Sequence, residues 1–277
     1  MSKPMTTLEL YKMKQEGQPI TMLTAYDFPT AMLVDSAGID MILVGDSMGN
    51  VVLGYDTTVP VTIDDIVHHT KAVNRGVKRA MVVADMPFMS CHISEEETMR
   101  NAARLMQEGG AKAVKIEGGH QVINVVKKLT DAGIPVMGHL GLTPQSVNQI
   151  GGFRVQGKTA ADAQQLIDDA KVLQDAGIFA LVLECIPAQL AKKVTAELDI
   201  PTIGIGAGVD CDGQVLVTHD MLGVNDQFKP KFVKCFTNLH QEIMKALETY
   251  KEEVKERQFP AAEHTFNISE EELKKLY

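Results

Sequence analysis

Short runs of consecutive apolar residues recur along the chain, and each ends in a glycine or a charged side chain. Met41-Ile-Leu-Val44 gives way to Gly45-Asp46-Ser47, and Met-Val-Val-Ala84 to Asp85. Ala-Val114 continues through Lys115-Ile116 to Glu117, Val-Met137 leads into Gly138-His139, and Ala-Leu-Val-Leu183 into Glu184. Runs this short with no polar alternation are expected of strands buried on both faces, as in parallel sheets. The segments between them have helical length and carry start signals, such as Thr62 with Asp65 and the capping-box form Ser94-Glu-Glu-Glu97.

Taken in order, the pattern predicts a helix over 7–16, a strand over 20–25 and a helix opened by Pro29 and stopped at Gly38. A strand over 41–44 and a long loop through Pro60 follow, then a helix over 62–75 and a strand over 79–84 ending at Asp85. Next come a helix over 94–109, a strand over 111–116, a helix to Asp131 and a strand over 134–137. An excursion over 140–158 precedes a helix over 159–176, a strand over 179–183, a helix over 187–198 and a strand over 200–205. The last strand is expected over 215–218, ending at His219-Asp220. Residues 231–255 place Phe232, Phe236, Leu239, Ile243, Leu247, Tyr250 and Val254 at helical spacing, and a capped segment over 269–277 is expected to pack back as a short helix. Eight strands alternating with helices predict an α/β protein with a parallel sheet, closed as a (β/α)8 TIM barrel; an open doubly wound sheet is the alternative. No linker or low-complexity tract divides the 277 residues, so a single barrel domain over 1–277 is expected.

Composition narrows the class. A net charge of −9 argues against nucleic acid or an anionic membrane as partner, because both call for a positive field. The amino terminus lacks an apolar signal core and no run is long enough to span a bilayer. Cys91, Cys185, Cys211 and Cys235 lie far apart without paired spacing, which fits free thiols in a reducing cytoplasm.

In a barrel the polar residues at the carboxyl ends of the strands face the active site. Asp46, Asp85 and Glu117 follow three successive strands, where their charges repel unless a cation joins them. A hard divalent ion such as Mg²⁺ suits such carboxylates; the plainer alternative is that each caps the next helix or loop. Lys115 shares a strand face with Glu117 and would either neutralise these carboxylates or hold a substrate anion. Glu184, approached through apolar residues, suits a partly desolvated general base, against the alternative of a rim salt bridge. His139 could serve as acid, ligand or donor, with a structural role as the alternative, whereas His68-His69 fit a solvated helix face and Cys185 a core position. Gly152-Phe-Arg-Val-Gln-Gly157-Lys158-Thr159 matches a phosphate-loop pattern, but no strand runs directly into it; Arg154 and Lys158 could instead close over an anion. Gly204-Ile-Gly206-Ala-Gly208 suits either a tight turn or anion binding.

Together, Val-Gly45-Asp46-Ser47-Met-Gly, Ala84-Asp85-Met-Pro-Phe-Met, Val-Lys115-Ile-Glu117-Gly-Gly, Met-Gly138-His139-Leu-Gly-Leu-Thr-Pro-Gln, Leu-Glu184-Cys-Ile-Pro and Ile-Gly204-Ile-Gly-Ala-Gly resemble the ketopantoate hydroxymethyltransferase family. The resemblance implies a barrel related to phosphoenolpyruvate mutases and isocitrate lyases, assembled as a cytoplasmic homodecamer. It implies transfer of a one-carbon unit from 5,10-methylenetetrahydrofolate to 3-methyl-2-oxobutanoate (2-oxoisovalerate), giving ketopantoate (2-dehydropantoate) for pantothenate and coenzyme A synthesis. By the same resemblance Asp46, Asp85 and Glu117 bind Mg²⁺, Asp46, Ser47, Asp85 and Lys115 contact the oxoacid, and Glu184 accepts the proton. Rival expectations are a Mg²⁺-dependent C–C or P–C lyase on the same barrel, a non-enzymatic metabolite-binding scaffold, and a nucleotide-binding protein.

Overall fold

A computed structural model describes residues 3–225 and 230–277. The first two residues of the amino-terminal stretch, and residues 226–229 of the expected single domain, lie outside the described residues. Eight parallel strands close into a barrel in sequence order: β1 (Ile20–Thr24), β2 (Met41–Val44), β3 (Met81–Asp85), β4 (Ala113–Glu117), β5 (Val136–Gly141), β6 (Ala180–Glu184), β7 (Thr202–Ile205) and β8 (Gly213–Leu216). β8 pairs back onto β1, with Ile20 opposite Gly213, so the open-sheet alternative is excluded. The main helices are α1 (Thr7–Gln15), α2 (Phe28–Ser36), α3 (Ile63–Gly76), α4 (Glu95–Gln107), α5 (Ile123–Asp131), α6 (Ala160–Asp175), α7 (Ala188–Glu197) and α8 (Leu239–Lys255).

The alternation of side chains along each strand divides the apolar residues into two cores. Ile42, Val44, Val82, Ala84, Val114, Ile116, Leu181 and Leu183 point outward and pack with the helices. Met22, Met41, Leu43, Met81, Val83, Ala113, Met137, Ala180 and Val182 fill the barrel interior. Leu10 of α1 is fully buried within that inner core, so α1 closes the amino-terminal end of the barrel. The start signals act as expected: Thr62 and Asp65 form a reciprocal capping box on α3, and Ser94 accepts the Glu97 N–H at the start of α4.

The structure corrects several expected boundaries. β5 continues through His139 to Gly141. Gly138 does not stop the strand; a Cβ there would lie 2.9 Å from Ile178 Cδ1 and 3.1 Å from Leu181 Cδ1, so its glycine permits close packing. β8 ends at Leu216, and Thr218–Met221 form a helical turn rather than the end of a strand. The loop after β2 contains a helical turn over Met48–Val51. The last long helix starts at Leu239 rather than near Lys231, because the backbone ahead of it is engaged elsewhere. Phe236 N–H donates to Met221 O and Leu239 N–H to Leu222 O, and the Asn238 side chain caps the helix by accepting from Gln241 N–H. No residue of α8 is buried, and none of 269–277 is either, so that final segment forms its short helix over Glu270–Leu273 without packing back. No helix among the described residues is long and apolar enough to cross a membrane.

Candidate active site

Strand parity delivers the polar residues to the mouth. Asp85 lies two residues beyond Val83, Lys115 and Glu117 beyond Ala113, His139 beyond Met137, and Glu184 beyond Val182, so all share the inward face. The register sets their neighbours: Asp85 lies opposite Lys115, Glu117 opposite His139, and Gly141 opposite Glu184. Asp46 and Ser47 follow β2 on the turn that begins at Gly45.

The Lys115 ammonium, almost wholly buried, lies 2.7 Å from Asp85 Oδ1 and 3.7 Å from Glu117 Oε1. Burial alone would lower its pKa, but Asp85, Glu117 and Asp46 outweigh that and hold it charged. His139 joins the two sides of the mouth. Its Nδ1 is 3.3 Å from Glu117 Oε1 and 3.2 Å from Lys115 Nζ, and its Nε2 is 3.3 Å from Glu184 Oε2. Burial and the Lys115 charge push the imidazole pKa down; the Glu117 and Glu184 carboxylates reverse this and raise it to about 9. His139 is therefore a cationic bridge between two carboxylates.

The carboxylates differ in their surroundings. Burial, reinforced by the Asp85 and Glu117 charges, holds Asp46 well above the usual carboxylate range. Burial also raises Asp85, against the opposing pull of Lys115. Glu117 is buried too, yet His139, Lys115 and the Gln145 N–H bring it below its ordinary value.

Gln145, a loop residue that sequence reasoning missed, ties these groups together. Its side-chain amide donates to Asp46 Oδ2 at 2.9 Å and to Met86 O at 3.0 Å, and its backbone N–H donates to Glu117 Oε2 at 3.1 Å. Asp46 N–H in turn donates to Asp85 Oδ2 at 3.0 Å. Thus Asp46, Asp85 and Glu117 each have one oxygen held by a protein N–H. Asp85 Oδ1 and Glu117 Oε1 are buried without a hydrogen bond; the neighbouring cations approach them off the bonding direction. The same loop is anchored on the base side, through Leu142 N–H to Glu184 O and Gln156 N–H to Cys185 O. Gly141 turns the chain into it with φ +96°, where a Cβ would lie only 2.2 Å from Glu184 O.

Ser47 Oγ hydrogen-bonds the buried Tyr26 hydroxyl at 2.8 Å, a second partner the sequence did not flag. His69, expected on a solvated face, instead bonds Tyr26 O through Nδ1 at 2.6 Å, while His68 is exposed. Cys185 is half-buried with φ +47°, and burial beside Glu184 pushes its thiol pKa up to about 12, which disfavours a nucleophilic thiolate. The phosphate-loop match lies on the excursion after β5, and Thr159 is simply the cap of α6. Gly206 has φ +63° and a Cβ there would sit 3.0 Å from the Phe232 ring, so this glycine serves a turn and a close approach.

Among the described residues, no three His, Cys, Asp or Glu side chains are placed so that they could hold a metal ion together. The donor set still suits a hard cation. Among the described residues, Asp46, Asp85, Glu117 and Glu184 gather four carboxyl groups around the two cations Lys115 and His139, and burial with the Asp85 and Glu117 charges opposes ionisation of Asp46, which a cation would relieve. The two unsatisfied carboxylate oxygens are the donor type that Mg²⁺ takes, and that ion uses one or two carboxylates and keeps other positions for water and substrate.

Residues 4–262 match the family described as ketopantoate hydroxymethyltransferase. The 3-methyl-2-oxobutanoate hydroxymethyltransferase of Thermoanaerobacter sp. (strain X514) is 58% identical over 274 residues, covering 99% of this chain and 100% of the relative. The enzyme of the same name from Geobacillus sp. (strain WCH70) is 58% identical over 272 residues, 98% of each. In fold the chain is similar to phosphoenolpyruvate phosphomutase from Streptomyces platensis subsp. rosaceus, with TM-score 0.61 and 14% identity over 98% of this chain and 93% of that one. It is also similar to a phosphonopyruvate hydrolase solved with oxalate and Mg²⁺, with TM-score 0.61 and 12% identity over 98% and 95% of the two chains. A 2,3-dimethylmalate lyase of the phosphoenolpyruvate mutase/isocitrate lyase superfamily aligns with TM-score 0.58 and 16% identity over 99% and 95%. At these identities the structural likeness speaks for the barrel alone.

Proposed function

The chain belongs to the ketopantoate hydroxymethyltransferase family, and from that premise we propose how its barrel mouth carries out the transfer. The protein is an enzyme that transfers a hydroxymethyl group to 3-methyl-2-oxobutanoate. The proposal covers the donor, the metal and the residues: 5,10-methylenetetrahydrofolate as donor, Mg²⁺ as cofactor, and the carboxylate, lysine and histidine cluster as the site. A single barrel domain, working in the cytoplasm as a homodecamer, completes the reading.

Asp46 and Asp85 would hold Mg²⁺ with Glu117 beside them, and the ion when bound supplies positive charge to the oxygens of the oxoacid. Lys115 places a fixed ammonium where negative charge develops as C3 loses its proton, in a site too buried for water to screen it. Ser47, held by Tyr26, offers a hydroxyl to the oxoacid. Glu184 removes the C3 proton. His139 lies between the two carboxylates, Nε2 3.3 Å from Glu184 Oε2 and Nδ1 3.3 Å from Glu117 Oε1, and its positive charge would hold Glu184 ionised for that role. Water cleaves the C–N bonds of the donor's methylene bridge, releasing tetrahydrofolate and a formaldehyde equivalent; the electron pair left at C3 forms the new C–C bond to that carbon, and the proton taken by Glu184 returns to the oxygen, completing the hydroxymethyl group. The single observation that carries this reading is the placement of Glu184 across His139 from a lysine and carboxylate cluster in one closed mouth. A lyase on the same barrel would share the enolising step, so the donor separates the two.

The test is proton NMR of 3-methyl-2-oxobutanoate in D₂O with protein and Mg²⁺, with and without methylenetetrahydrofolate. Loss of the C3–H signal, then ketopantoate on adding the donor, is the expected course. Absence of exchange from folded protein in both mixtures overturns the reading.

A further inference from the structure

Gln145 reaches the mouth from the loop after β5, and it is 7% exposed. It donates the side-chain amide to Asp46 Oδ2 and the backbone N–H to Glu117 Oε2. Two carboxylates, one on the turn after β2 and one at the end of β4, are therefore restrained by one residue, and the amide is locked in turn by its second bond to Met86 O. An oxygen that already accepts a hydrogen bond, at 2.9 Å for Asp46 and 3.1 Å for Glu117, has one lone pair fewer to offer a metal than its free partner. The restraint leaves each carboxylate with one oxygen to offer.

That distinction separates two common divalent ions. Mg²⁺ takes an octahedron of single oxygens at short distance, whereas Ca²⁺ accepts more oxygens and often takes both from one carboxylate. Glu117 Oε1, the partner of the oxygen that Gln145 occupies, is buried without a hydrogen bond, with His139 Nδ1 3.3 Å and Lys115 Nζ 3.7 Å away, and is the oxygen left to offer a metal. We infer that Gln145 is a positioning residue that sets the metal preference of this site, enforcing one-oxygen ligation by Asp46 and Glu117 and so favouring Mg²⁺ over Ca²⁺. This rests on the proposal that these carboxylates hold the metal.

The inference concerns selectivity rather than affinity, which distinguishes it from a merely structural role. Loosening the loop would weaken both ions alike, whereas freeing Asp46 Oδ2 favours the ion that uses it. Gln145→Met keeps the unbranched shape and removes the amide, and Gln145→Leu is a second test of the same loss.

The experiment is Mn²⁺ titration of the intact protein followed by electron paramagnetic resonance of the free ion, without oxoacid, with Mg²⁺ and Ca²⁺ then used as displacing ions. Circular dichroism checks the fold of each variant. Wild type should favour Mg²⁺. The ratio of the Ca²⁺ to the Mg²⁺ dissociation constant should fall by about tenfold in either variant, the scale on which partners of metal ligands act. An unchanged ratio in a folded variant that still binds Mn²⁺ overturns the inference and leaves the metal reading standing. Wild type that takes Ca²⁺ as tightly as Mg²⁺ overturns it without reference to any variant. Wild type that binds no Mn²⁺ overturns the metal reading itself.

Discussion

Replacing Lys115 by Met removes the buried ammonium from the mouth and leaves its shape almost intact. The lysine and Asp85 side chains are 4% and 2% exposed and sit 2.7 Å apart. Breaking a pair so buried costs about 3–5 kcal/mol, because the remaining charge stays in the interior without a partner. A solvent-exposed pair would cost about 1 kcal/mol or less. The penalty should also depend on pH. Burial already raises Asp85, and loss of the lysine removes the main force opposing that rise. A carboxyl whose folded pKa exceeds its unfolded value near 4 binds an extra proton in the folded state, so stability falls as pH rises through that window, by about 1.4 kcal/mol per unit. The full penalty therefore holds above the raised value and shrinks below it. Urea unfolding of wild type and Lys115→Met in EDTA, at pH 8 and pH 5.5, measures both effects. A difference below about 1 kcal/mol at pH 8, or one equal at the two pH values, would refute the account of a desolvated charge cluster.

Glu184→Gln should retain the fold and oxoacid binding but slow C3–H exchange by about 10²–10⁴-fold, the range for a general base; exchange at the wild-type rate in the D₂O assay removes Glu184 from that role. Asp35 accepts the N–H groups of Lys78, Arg79 and Ala80 ahead of β3. Burial opposes its ionisation, but these bonds win and lower its pKa, so its contribution is present above the ordinary unfolded value and lost as pH falls below it. Asp35→Asn should cost about 1–2 kcal/mol at pH 7 after discounting for solvent contact, and much less near pH 3, by denaturant unfolding. Gly141→Ala forces a side chain into φ +96° and against Glu184 O; it should lower thermal stability and, in protein that still folds, reduce C3–H exchange more than oxoacid binding measured by calorimetry.

The barrel was legible because strands buried on both faces leave uninterrupted apolar runs, and because residues two apart share a face. Asp85, Lys115, Glu117 and Glu184 could be placed in the mouth on that ground alone. Gln145 could not, since a loop has no period and its role depends on two strands it never adjoins in sequence. His139 was visible but ambiguous: its meaning comes from Glu117 and Glu184, 22 and 45 positions away. The end of β5 was misjudged because Gly138 carries the same letter whether it stops a strand or admits Ile178 and Leu181. The start of α8 is not legible because apolar spacing continues through Phe232 and Phe236, although Phe236 N–H is bound to Met221 O and Leu239 N–H to Leu222 O.

With Leu10 and α1 sealing one end, the barrel is a cup with a single opening. Traffic through a cup is last in, first out. If the acceptor acid binds the inner tier at Lys115 and Asp85 as proposed, it would enter before the bulkier proposed donor covers it, and the spent donor would leave before the product. Steady-state kinetics should accordingly be sequential and ordered. Ketopantoate, which leaves last, should compete with 3-methyl-2-oxobutanoate for the empty protein and not with the donor. The side chains packed between the mouth and α1 make the barrel a solid floor rather than a passage, so the two ligands would share one doorway and form a queue.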